Sequence, residues 1–88
     1  MPLQIRFTIH ERDLLLNLMS IDPEVVKRLN HAMLQNSSLT INVDEDELDV
    51  LLSVIAADAN HPKNHKLEVE LNALAHRLDE ILRIHLST

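Results

Sequence analysis

A strand-into-helix signature occurs twice in this chain, thirty-six positions apart, and it limits the folds open to the 88 residues more than any other feature. Leu3-Gln4-Ile5-Arg6-Phe7-Thr8 leads into Glu11, Asp13, Leu15, Leu16 and Asp22. Leu39-Thr40-Ile41-Asn42-Val43-Asp44 leads into Glu47, Asp49, Leu51, Leu52 and Asp58. Seven of the twenty aligned pairs are identical, where a composition this rich in Leu and Asp gives roughly two by chance, so the chain reads as a pseudo-repeat. The units span 3–36 and 39–86, inside a single domain covering 1–88.

Each unit carries its own start signals. Leu3, Ile5, Phe7 and Ile9 alternate with polar residues, the period of a strand with one buried face. Thr8 with Glu11, and Asp44 with Glu47, match the capping box, in which the cap side chain accepts from a first-turn amide and the glutamate reaches back to the cap N–H. The first helix is predicted to bury Leu14, Leu15, Leu18 and Met19 and to stop near Ile21, because Pro23 disfavours helical backbone at Asp22. Asp22-Pro23-Glu24 restarts a helix that is predicted to reach Gln35 and to offer Val25, Val26, Leu29, Ala32, Met33 and Leu34 for burial. Asn36-Ser37-Ser38 is the polar break before the second strand, with Asn36 suited to a left-handed exit.

Glycine is missing from the entire chain, so tight two-residue hairpins of the Asn-Gly kind are not expected, which suits strands separated by helices better than a meander. The third helix follows Asp44 with Leu48, Leu51, Leu52 and Ile55 on one face and Val50, Val54 and Ala57 beside them, which predicts a central position. Beyond Asn60-His61-Pro62, residues Leu67, Leu71, Leu74, Leu78, Ile81 and His85 recur four and three apart, the spacing of a helix–helix seam. Glu68, Glu70, Arg77, Asp79, Glu80 and Arg83 are left for solvent. The predicted fold is α+β and mostly helical: two strand-helix-helix units, with four helices packed on a minimal two-stranded sheet. Two strands alone leave both edges unpaired and a small domain is short of core, so a homodimer is expected. Its interface is assigned to the third and fourth helices, with Leu67, Leu71, Leu74, Leu78 and Ile81 as the seam closing a core of Leu51, Leu52, Val54 and Ile55, or to a strand edge.

Composition narrows the function. Phe7 is the only aromatic, so nothing offers a stacking platform for bases or flavins. The formal charge of −6 opposes nucleic acid or an anionic membrane as partner. Without cysteine there is no disulfide, thiolate metal site or thiol nucleophile. No apolar stretch approaches a membrane span and no basic-then-apolar leader opens the sequence, which sets a soluble, cytoplasmic protein as the expectation.

Candidate sites each have a plainer explanation. His61 and His65, four apart beside Asp58, form the best metal candidate, but Pro62 breaks the helix that would align the two imidazoles; a polar corner capping the fourth helix through His61 or Asn60 is the simpler account. Asp44-Glu45-Asp46-Glu47 and Asp49 lack the spacing and glycine of a calcium loop and suit a helix N-terminus. His10, His31, His76 and His85 read as boundary residues. Serines 20, 37, 38, 53 and 87 have no nucleophile-elbow glycines. The expectation is therefore a non-catalytic protein–protein interaction or structural/regulatory module that self-associates, requires no cofactor and engages an unidentified protein partner. The alternative is a metal-binding or metal-sensing protein using Asp58, His61 and His65.

Overall fold

A computed structural model describes residues 2–60 and 65–87. In chain order the elements are β1 (Leu3–Thr8), α1 (Ile9–Leu16), α2 (Pro23–His31), β2 (Ser38–Val43), α3 (Glu45–Ala59) and α4 (His65–Ser87). The fold is α+β and mostly helical, with a two-stranded antiparallel sheet. Leu3, Ile5 and Phe7 stand opposite Val43, Ile41 and Leu39, so the alternating apolar sets of both strands share one face. That face is the floor of the core. Phe7, Leu15, Leu48, Ile55 and Leu78 are fully buried above it, with Val25, Leu29, Leu39, Leu71 and Leu74 around them. Gln4, Arg6, Thr40 and Asn42 occupy the exposed opposite face.

The two matching segments take matching local structures. Thr8 accepts from the Glu11 amide at 3.1 Å while Glu11 Oε1 accepts from the Thr8 amide at 2.9 Å. Asp44 and Glu47 repeat the box at 2.7 and 2.9 Å. Asp22 caps α2 by accepting from the Glu24 amide, with Pro23 in the first turn. Each of these starts is a local bargain between one side chain and the orphan amides of a first turn, which is why it can be read from sequence.

Helix ends depart from expectation. α1 stops at Leu16, not near Ile21. The Asn17 amide bonds Leu14 O, and its side-chain Nδ2 donates to Asp13 O at 2.8 Å. The turn that follows delivers Leu18 to the core and leaves Met19 89% exposed rather than on the buried stripe. α2 ends at His31, not Gln35, because Ala32 is extended (φ −67°, ψ 137°), and Met33 and Leu34 are exposed. The strands are separated by helices, as expected, and a two-residue turn made without glycine precedes β2. Gln35 and Ser38 exchange both backbone hydrogen bonds, at 2.7 and 3.0 Å, around Asn36 (φ 52°) and Ser37 (φ 66°), the dihedral signature of a type I′ turn made without glycine. α3 is not central either: Leu48, Leu51, Ile55 and Ala59 form one buried stripe, and Val50 on the far side is 55% exposed.

α4 is the structural beam. Its 23 residues, at about 1.5 Å each, match the 35 Å long axis of the molecule. Leu71, Leu74 and Leu78 are buried against α3, with Leu67 and Ile81 half-buried at either end of the stripe. No helix among the described residues is long and apolar enough to cross a membrane.

A positive φ is free of cost at glycine but costs an ordinary residue about 1–2 kcal/mol, of which glycine's extra unfolded-state entropy returns about half. Ser37→Gly is therefore expected to stabilise the chain by about 0.5–1 kcal/mol, seen as a higher urea midpoint at unchanged slope. Ser37→Val should lower the midpoint.

Candidate functional site

Two arginines tie distant parts of the chain together. Arg77, on α4, donates Nε to Glu11 Oε2 at 3.0 Å and Nη2 to Glu11 Oε1 at 2.9 Å, a two-point grip on the carboxylate of the first capping box. The same Nη2 donates to the carbonyl of Arg6 at 3.0 Å, and the guanidinium lies 5.6 Å from the centre of the Phe7 ring. Arg28, on α2, donates Nη1 to Glu47 Oε1 at 2.8 Å and to the carbonyl of Asn42 at 3.1 Å. Adding thirty-six to Arg6 and Glu11 gives Asn42 and Glu47. Each unit's second helix thus supplies an arginine that clasps the strand and cap of the other unit.

Both clasps also seal the sheet. A strand residue sends its N–H and C=O to the same side, so the carbonyls bound by the arginines identify Arg6 and Asn42 as outward-facing edge positions. Exposed edges of this kind invite pairing with other chains. Here each edge has a guanidinium on it and a glutamate on the guanidinium. The expectation that Arg77 remains solvated is overturned, since its side chain is only 39% exposed and reaches three partners.

The electrostatics follow. The hydrogen bond from Arg28, reinforced by the Asp44 amide and by the Arg28 charge, holds the Glu47 carboxyl below the ordinary glutamate range against a smaller opposing effect of burial. Arg28 is in turn held more basic, chiefly by its bond to Glu47. Around this pair lies an open hollow of about 550 Å³ along the edge of β2, lined by Pro2, His31, Thr40 and Asp44 among others.

The acidic run is absorbed by the fold. Asp44 and Glu47 form the capping box, Glu45 pairs with His85 Nε2 at 2.8 Å, and Asp46 and Asp49 face solvent on the first turns of α3, where the helix dipole favours them. His10 pairs with Glu70 and so ties the start of α1 to α4. His31 and His76 are exposed. Ser38, Ser53 and Ser87 each donate their hydroxyl to a backbone carbonyl. At the metal candidate, Asp58 Oδ2 accepts from the Met19 amide at 3.1 Å, His65 Nδ1 stands 4.0 Å from Glu68, and His61 lies outside the described residues. Among the described residues no trio of His, Asp or Glu is gathered in a metal-binding arrangement.

The proposed seam residues close the chain on itself. Leu71, Leu74 and Leu78 are buried against α3 of the same chain.

A feature that sequence reasoning missed lies where α1 stops short. The turn at Asn17–Ser20 stands over the outer side of α3, anchored by the bond from Met19 to Asp58. Beneath it is a cleft of about 480 Å³ lined by Leu14, Leu18, Met19, Ala57, Leu67 and Leu71. It runs into a second hollow of about 250 Å³ lined by Asp49, Val50, Ser53 and Val54, and the two share Ser20, Ala57 and Asp58. The result is one groove with aliphatic walls, a floor of small residues and an exposed methionine on its lip. No protein family, no curated protein and no solved structure matches the chain.

Two predictions follow from the clasps. Lysine cannot reproduce a two-point grip, so Arg77→Lys is expected to cost about 1–2 kcal/mol, measured by urea denaturation, with loss of the hydrogen-exchange protection of the Thr8 amide, whose acceptor is the clasped Glu11 carboxylate. Glu47 titrates lower in the folded chain than in the unfolded one. Its contribution is therefore complete above the ordinary glutamate value and is lost as the pH falls from about 5 through the depressed folded value. The decline of the urea midpoint in acid should be shallower in Glu47→Gln than in the wild type; superimposable slopes would contradict the assignment.

Proposed function

We propose that the chain is a non-catalytic protein–protein interaction module whose docking surface is the groove between the Asn17–Ser20 turn and α3. The observation that supports this is the adjacency of the two hollows, which share Ser20, Ala57 and Asp58: Met19, Val50 and Ala57 are exposed along them, over a base that includes the buried Leu18 and Leu71. Methionine is unbranched and polarisable, and it adapts to the shape of what binds it. Exposed contiguous apolar surface with a polar rim is what a partner's side chains seek. Glu11, Glu45, Glu47, Glu70, Arg28 and Arg77, in contrast, are committed to the fold through the two clasps and the His–Glu pairs.

The test compares two baits. Full-length chain and its Ala57→Arg variant, immobilised side by side in a lysate of the native host, should differ by at least one protein retained only by the wild type. That protein, once purified, should bind the wild type directly. Identical retention by both baits would remove the groove from the reading.

Self-association belongs to the same proposal through a different surface. Val69, Ala73, His76, Glu80 and Ile84 run along the outer side of α4, away from α3, and all are exposed. Two α4 helices packed antiparallel across a two-fold axis would set Val69 against Ile84 of the second copy, and Ala73 against Glu80, with His76 near the axis. Sedimentation equilibrium is expected to give a dimer for the wild type and a monomer for Ile84→Glu. A wild type that stays monomeric at high micromolar concentration would dispose of the dimer and leave the groove untouched.

A further inference from the structure

We infer that the occupant of the groove is an amphipathic helix of a partner protein, one that carries lysine or arginine beside its apolar stripe. This rests on the groove being a docking surface and adds which chemistry it accepts. The argument begins with length. The lining residues from Asp49 to Asp58 advance along α3 by about 14 Å, some two and a half turns, which suits a helical segment laying down apolar side chains at i, i+3, i+4 and i+7.

Charge then selects the partner. Asp49 and Asp58 stand at the two ends of this stretch, and no lysine or arginine is among the described residues of the lining. Asp46, exposed one turn before Asp49 on α3, extends the acidic end. Asp58 keeps its carboxylate in place because the Met19 amide donates to it, and among the described residues no cation is paired with it.

A second copy of the chain is disfavoured by the same residues. Antiparallel packing of one α3 on another across a two-fold axis would bring Asp49 of each copy to Asp58 of the other, and like charges at an apolar contact oppose association. A basic helix meets the opposite situation at both ends. The small side chains of Ser53 and Ala57 between them give room for a leucine-sized anchor.

The test uses fluorescence anisotropy with two labelled peptides of the same apolar pattern, one of Leu and Lys, one of Leu and Glu, titrated with full-length chain. The Leu/Lys peptide is expected to saturate and to bind at least about tenfold tighter than the Leu/Glu peptide at low salt, with affinity falling as salt rises. Ala57→Arg, which fills the groove, should weaken it about tenfold or more. Ala56→Arg adds the same charge at an exposed position outside the lining and should weaken it only about twofold. Asp49→Asn should weaken binding and flatten its salt dependence.

Equal losses in Ala57→Arg and Ala56→Arg would mean attraction to net charge alone and would overturn the inference. If both peptides bind equally and both are blocked by Ala57→Arg, the basic partner is wrong while the docking groove stands. If neither peptide binds, the groove and its occupant fall together. A dimer that dissociates on Ala57→Arg would instead make the occupant a second copy.

Discussion

Two guanidinium groups join the two halves of this chain. A two-stranded sheet is marginal alone, because each strand has one partner and one open edge. Arg77 and Arg28 reach across from the helix of one unit to the strand edge and capping box of the other, and each bonds a main-chain carbonyl and a glutamate that is already holding a helix start. Removing either arginine would leave an edge carbonyl bare and a carboxylate without its cation. Sheet, caps and long-range packing are therefore coupled through the same few atoms, and neither unit can complete its own strand edge.

The legible part of this architecture is the part set by neighbours in sequence. The strands, the two capping boxes and the Asp22-Pro23 start depend on residues within one turn of each other, so their patterns survive in a linear reading. The stripe on α4 was legible for a related reason: Leu67, Leu71, Leu74, Leu78 and Ile81 repeat with helical period whatever they pack against. Its destination was not. Periodicity states that a face is buried but not by which helix, and α3 of the same chain is the one that covers it.

What stayed hidden depends on contacts between distant residues. Arg77 looks like any exposed helix charge until Glu11, sixty-six positions earlier, is placed beside it. The capping box gave the missed hint, since a glutamate held by a cap is a fixed anion that a distant arginine can find. The end of α1 was hidden because Leu18 fits a helical stripe as well as it fits the core position it takes after the chain has turned. The Asn36-Ser37 turn was concealed by a rule that expects glycine at positive φ, and Asn supplies only one of the two residues that the rule anticipates.

The groove arises from the difference between the two units. Shifted by thirty-six positions, Asn17–Ser20 corresponds to residues 53–56, which in the second unit remain helical. Ser53 donates to the carbonyl four residues back, as Asn17 does, yet only α1 ends there. The first unit must turn at that point to bury Leu18 and restart at Asp22, whereas the second runs on to Ala59 and buries it. A helix and a turn that began with the same sequence signature therefore lie against each other with unequal lengths, and surfaces of unequal length cannot cover one another completely. On the α3 side the uncovered surface is Val50, Ser53 and Ala57, turned away from the buried stripe, and it is acidic at its ends because Asp49 and Asp58, the counterparts of Asp13 and Asp22, stand there. A surface of that composition is what two matching segments leave where one turns and the other continues as helix.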